Sequence, residues 1–181
     1  MKKAFLLLAL TSACLICFSQ EQGTFRDPRD GQVYKIVKIG SQTWFAEDLK
    51  YKPDAGNYWA ESIKIDQADL ERVYYVYDWK TAMAAVPKGW HLPSKAEFKI
   101  LYEYLGDSHK KVYNALVENG SSGFNVIISK TGYNQNAAIY WTSNKPNCFS
   151  LTGPMLATAG KVYVGWVNAM TGERVRPIKD N

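Results

Sequence analysis

The run from Val86 to Leu105, VPKGWHLPSKAEFKILYEYL, constrains the fold more than any other part of this chain, because several local signals converge on it. Pro87 and Gly89 interrupt whatever precedes them, and Trp90-His91-Leu92 reads as a short buried strand that Pro93 stops. Ser94-Lys95-Ala96-Glu97 is a capping box, in which a hydroxyl and a carboxylate each satisfy a backbone N–H left open by the first helical turn. Phe98, Leu101, Tyr102 and Leu105 then recur at helical spacing, so one face is apolar and turns inward, and Gly106 ends the helix. A strand, a sharp stop and an inward-facing helix in immediate succession require a mixed α and β core.

The first residues obey different rules. Lys2-Lys3 precede an apolar run from Ala4 to Phe18 that is too short to span a bilayer comfortably, the pattern of an export signal over residues 1–19. Cleavage near Ser19 or Gln20 leaves residues 20–181 as one domain, beginning with a loose polar stretch, Gln20-Glu21-Gln22-Gly23. Thr11-Ser12-Ala13-Cys14 also offers small residues before a lipidated Cys, although Leu10 stands one position early for that motif; membrane attachment would follow only from lipid on Cys14. The implied location is secreted, periplasmic, or bound at the cell surface or outer membrane.

Removing the leader takes two lysines from a formal charge of +5, and no dense Lys/Arg cluster remains, so nucleic acid is not an expected partner. It also takes Cys14 and Cys17, so Cys148 is the only thiol of the folded part and cannot form a disulfide within the chain. The 6 Trp and 12 Tyr are a heavy aromatic load that fits either a large β-rich core or a stacking surface for flat ligands.

Along the chain, Asp27-Pro28-Arg29-Asp30-Gly31 forms a turn before an alternating strand, Gln32 to Ile39. Gly40-Ser41 reverses it into Gln42 to Ala46, with Trp44 available to the core. Residues 50–72 read as an insertion, with Ile63 to Leu70 either a turn of helix or a strand remnant. Val73 to Tyr77 is a strand, and Asp78 caps a helix running to Val86. Asp107 or Ser108 caps a further helix with Val112, Leu116 and Val117 on its apolar stripe, ended by Gly120. Phe124 to Ile128 and Tyr140 to Ser143 are expected in a second small sheet, separated by a turn at 132–136. Met155 to Ala159 and Val162 to Val167 suggest a hairpin, and Glu173 to Ile178 the closing strand.

These motifs, GWHLPSKAEF with its helix, DPRDGQVYKIVKIGSQTWFAEDL, DWKTAMAAVPKGWHLPS, SSGFNV, YWTSN and RVRPIKD, together resemble the Fibrobacter succinogenes major paralogous domain family over nearly all of the mature chain. That family is similar in fold to C-type-lectin-like domains. The resemblance implies an α+β class: antiparallel strands with the N- and C-terminal strands paired, two or three helices and a small second sheet. Where the family reads Ala-Glu-Asn-Leu this chain has Ala46-Glu47-Asp48-Leu49, which adds a charge. Where the family carries two Cys this chain has Val86 and Pro177, and their joint loss is what a pair bonded to each other would leave.

No catalytic set is visible. His91 lies inside the WHLP run, where a hydrogen-bonded semi-core role is expected, and His109 lies in the first turn of a helix. No Cys–His pairing, nucleophile elbow or zinc spacing exists, so no cofactor or metal is implied. Formylglycine-generating enzymes have a similar scaffold and a Leu-Pro-x-x-x-Glu run, matched by Leu92 to Glu97, but their chemistry uses cysteines that one thiol cannot supply. Calcium-dependent lectin sites need several oxygens, whereas Lys145-Pro146-Asn147 puts a cation at the first ligand position and Trp166-Val167-Asn168 has no following acid.

The expectation is therefore a calcium-independent, non-catalytic binding module for a glycan or an envelope or extracellular protein. Its candidate surface is Asn144, Lys145, Asn147, Tyr163, Trp166 and Asn168. The alternatives are an enzyme whose carboxylates Glu47, Asp48 and Glu173 converge in space, or a structural envelope component.

Overall fold

The computed structural model describes residues 21–65, 70–128, 136–144, 147–153, 160–166 and 172–180. The leader therefore lies outside the described residues, as do residues 132–135 of the expected turn at 132–136 and the strand expected at Met155 to Ala159. The class is α+β, as the sequence implies: three helices and three antiparallel sheets among the described residues.

The N-terminal hairpin forms as read, from β2 (Val33–Ile39) and β3 (Gln42–Phe45), with Ile39 opposite Gln42. Gly40 makes the reversal at φ 61°, and Tyr104 packs so closely beneath it that a Cβ would lie 2.9 Å from the ring. Of the loose polar start expected at Gln20 to Gly23, Gln20 lies outside the described residues, and Gln22 and Gly23 are not loose: β1 (Gln22–Arg26) pairs with β2 along its length. Its apolar anchor is Phe25, whose ring centre lies 5.6 Å from Phe45 and 5.3 Å from Trp90.

A second correction follows. With β1 on one edge of β2 and β3 on the other, the closing strand β10 (Ile178–Lys179) cannot join β2, the strand read as first from the sequence. It pairs instead with β3 and with β6 (Trp90–His91), giving a five-stranded sheet ordered β1-β2-β3-β10-β6.

The insertion is a hairpin. β4 (Tyr58–Ile65) and β5 (Leu70–Tyr77) pair throughout, so the expected strand at Val73 begins earlier and has an unforeseen partner. Asp78 accepts from the Thr81 N–H to cap α1 (Trp79–Ala85). The capping box is complete at α2 (Lys95–Leu105), which buries Phe98 and Leu101, and α3 (His109–Leu116) buries Val112, Ala115 and Leu116. Ser108 occupies the cap of α3 without a side-chain hydrogen bond.

The second small sheet consists of β7 (Ala137–Trp141), β8 (Asn147–Thr152) and β9 (Val162–Trp166) in that order. Phe124 to Ile128 is not one of its strands. Asn125 takes a left-handed φ of 54°, and only a single bridge, Val126 to Val117, forms there. β9 pairs with β8, and β8 was invisible in the sequence because four consecutive residues, Cys148 to Leu151, are buried, so its two faces show no alternation.

Two cores result. One packs Val37, Ile39, Trp44 and Ile178 against α2, α3 and the three-stranded sheet; Phe98 and Phe149 stack at 4.3 Å within it. The other, around Phe45, Trp90, Leu92 and Trp141, lies on the opposite side of the five-stranded sheet against α1. Trp44, Trp90 and Trp141 are buried, so these aromatics belong chiefly to the core.

Cys148 is free and buried, and burial pushes its thiol up to about 12, with the charge of Glu173 adding to the shift. We expect thermal melting of the purified monomer to be the same with and without reductant; a drop of several degrees on reduction would contradict this.

Candidate functional site

The segment 172–180 builds the site. It runs past all three sheets, changing partner at almost every residue. Glu173 exchanges both backbone hydrogen bonds with Tyr77 at the end of β5. Arg174 N–H donates to Ile139 and its carbonyl accepts from Trp141, both in β7. The Val175 carbonyl then accepts from Leu49 and that of Pro177 from Phe45. The tail thus leaves β5 immediately after Tyr77, and the two diverge like a fork.

Between the tines lies a cleft of about 520 Å³, within the range of about 300–1,000 Å³ usual for ligand sites. Arg72, Val73 and Tyr74 of β5 form one wall. Ala46 to Asp48, Lys50 and Lys35 form another, with Glu118, Asn119, Asn125 and Ile127 beyond α3 closing the end and Arg176 in the floor.

Asp48 organises that floor. Its side chain is 11% exposed and meets two guanidiniums that are 1% exposed. Arg176 Nη2 donates to Asp48 Oδ1 and to the Tyr140 hydroxyl at 3.1 Å, and Tyr140 itself donates to Asp48 Oδ1 at 3.0 Å. Arg174 Nη1 lies 3.6 Å from Asp48 Oδ2. The arginines also take the carbonyls that a neighbouring strand would otherwise hold: Arg176 donates to Phe124 O and Arg174 to Ile127 O, each at 2.6 Å. Both stack on rings, Arg174 3.9 Å above Tyr74 and Arg176 4.8 Å above Phe124. Burial, the largest influence on Asp48, favours its neutral form, yet the charges of Arg176 and Arg174 and the hydrogen bonds from Arg176 and Tyr140 outweigh it, holding the carboxyl below the usual carboxylate range.

The other cleft carboxylates are also engaged. Glu47 lies 3.7 Å from Lys50, and Glu118 pairs with Arg72 across the cleft mouth. Glu173 does not border the cleft, so of the three carboxylates named from sequence only Glu47 and Asp48 share it. His91 is held as expected, with Nδ1 2.7 Å from Asp180 and Nε2 2.7 Å from Glu97. Burial lowers its pKa, but the hydrogen bonds and charges of those two carboxylates raise it overall. No group of three His, Cys, Asp or Glu among the described residues is arranged to hold a metal ion.

The surface named from sequence is described only in part, through Asn144, Asn147, Tyr163 and the backbone of Trp166. The Asn144 side chain accepts from the Lys95 N–H at the start of α2, and the Asn144 carbonyl accepts from both the backbone and the side-chain amide of Asn147. Asn147 therefore holds a turn, and the Asn144 side chain ties that turn to α2. Tyr163 is 40% exposed beside His109, with ring centres 5.7 Å apart. Trp166 pairs with Asn147 in the β8–β9 ladder, while Lys145 and Asn168 lie outside the described residues. The sequence did not point to the cleft, because Lys35, Arg72, Glu118 and Asn125 are scattered surface residues that only the fork brings together. The visible clue was Asp48, a charge where the resembling family has an amide.

Because the folded pKa of Asp48 lies below its unfolded value near about 4, its contribution to stability is complete above that pH and disappears as pH falls through the folded value. Asp48→Asn should cost about 3–5 kcal/mol at pH 7, because it strands two buried cations. In urea melts, the gap between variant and parent should close as pH drops from 5 towards 2; a constant gap would contradict the assignment.

Searches among curated proteins and among solved structures found no match. The model of one family, the Fibrobacter succinogenes major domain, matches residues 37–166, from the middle of β2 to the end of β9 and through the whole WHLP helix entry. That is well over half of the chain, and the protein belongs to the Fibrobacter succinogenes major domain family.

Proposed function

We propose that this protein is an exported, non-catalytic binding module that holds a polar ligand, a glycan or part of an envelope protein, in the cleft between β5 and the tail, without calcium. The observation that carries the reading is the state of the cleft carboxylates. Each already faces a cation, and Asp48, held between two guanidiniums, is kept in its ionised form. What the cleft offers instead is recognition chemistry: the amides of Asn119 and Asn125, the cations Lys35 and Arg72, and the exposed methyls of Val73. The apolar run at residues 4–18 supports export, and the C-type-lectin-like resemblance supports a binding role.

One observation favours an enzymatic reading, namely that Glu47 and Asp48 border the same cleft. Against it stands the engagement of both side chains, Glu47 beside Lys50 and Asp48 between Arg174 and Arg176.

Screening on a glycan array and on bacterial envelope extract should find a ligand whose binding EDTA does not change. Lys35→Ala with Arg72→Ala should weaken that binding by at least about tenfold while the melt stays within a few degrees. If Tyr163→Ala removed binding and the cleft variant did not, the site would lie on the β9 face instead.

A further inference from the structure

The wall of the cleft formed by β5 is a strand edge, and the bridge at its end fixes which groups it presents. Tyr77 exchanges both backbone hydrogen bonds with Glu173, so its N–H and C=O point away from β4. In an antiparallel pair this orientation repeats every second residue, so the N–H and C=O of Tyr75 and Val73 point the same way, into the fork. The residues between them, Tyr74 and Val76, turn theirs to β4, where they face Glu61 and Trp59. Among the described residues, no backbone or side-chain group bonds the outward N–H and C=O of Val73 and Tyr75, because the tail has already left for β7 and Leu49. The edge is not blunted by proline or a bulge, and the Val73 side chain beside it is 51% exposed.

Charge selects what can lie there. Lys35, Lys50, Arg72 and Arg176 line the cleft against Glu47, Asp48 and Glu118, and Arg174 adds a second cation at Asp48. Lys35 forms no ion pair among the described residues. The Lys50–Glu47 and Arg72–Glu118 pairs are partly exposed, of the kind that contributes little and exchanges partners readily. An incoming carboxylate therefore finds one free cation and two more that can be taken over, while an incoming cation finds carboxylates already matched.

We propose that the cleft takes an extended acidic peptide segment, which adds as a strand to the open edge of β5 through Val73 and Tyr75 and sets its carboxylates against Lys35, Lys50 and Arg72. The fork supplies the main-chain pairing common to every peptide, and the cations supply the preference for acidic side chains. This rests on the reading of the cleft as a binding site and narrows its ligand to protein.

The test uses fluorescein-labelled octapeptides of alternating Glu and Val, capped at both ends, with the purified protein. The acidic peptide should bind, and its Lys-for-Glu counterpart should bind more than about tenfold more weakly. N-methylation of alternate residues in one phase should abolish binding and in the other phase should leave it within about threefold, because only one set of N–H groups faces β5. Val73→Pro deletes an outward N–H without removing a bond to β4, so it should weaken the peptide about tenfold or more while the melt shows the fold retained. Equal binding of both N-methylated forms, or no binding of the acidic peptide, overturns the proposal. An acidic oligosaccharide such as oligogalacturonate that binds the parent, but not the Lys35→Ala, Arg72→Ala variant, while the peptide fails, also overturns it yet leaves the cleft as a binding site.

Discussion

One carboxylate, Asp48, shares its buried site with two guanidiniums, and much of the architecture answers to that arrangement. Neither arginine can stay in the interior as a bare charge, since desolvating an ion costs several kcal/mol even after relaxation. Asp48 supplies the countercharge, and the carbonyls of Phe124 and Ile127 take further guanidinium hydrogens. The planar fork of Arg suits this, because it reaches a carboxylate and a carbonyl at once and lies flat on Tyr74 or Phe124. Three parts of the chain, the 46–50 turn, the 124–127 segment and the tail, are thereby fixed to each other without belonging to a common sheet.

That fixation explains the irregularity of the tail. A continuous closing strand would have completed one sheet and left the others to pack by side chains alone. Instead residues 173–178 contact β5, β7 and β3 in turn, with Arg174 and Arg176 directed into the space the change of direction creates. The same divergence leaves the edge of β5 that faces away from β4 without a partner at Val73 and Tyr75 among the described residues, and opens the cleft. The charges that hold the tail in place also set the electrostatic character of the cleft above them.

The sequence disclosed the elements whose signals are local. The capping box at Ser94 and Glu97, the Gly40-Ser41 reversal and the Asp78 cap depend on neighbouring residues and appear as read. What stayed hidden depends on partners distant in sequence. β1 is polar except for Phe25 and becomes a strand by pairing with β2. β8 is buried on both faces and so lacks alternation, and Phe124 to Ile128 has strand-like composition but yields its carbonyls to arginines. Two amides of the candidate surface also have partners that the sequence does not show: the Asn144 side chain accepts from the Lys95 N–H at the start of α2, and the Asn147 side chain donates to the Asn144 carbonyl. Glu47 and Asp48 were singled out as carboxylates that converge; they do, but onto cations.

The most direct measurement is a double-mutant cycle in urea unfolding between Asp48→Asn and Arg176→Met. If the carboxylate and guanidinium hold the tail as described, the double variant should be less destabilised than the sum of the single variants by about 2 kcal/mol or more, since removing the second partner relieves an uncompensated group. Losses that add to within about 0.5 kcal/mol would show that the two side chains act independently and would contradict the account.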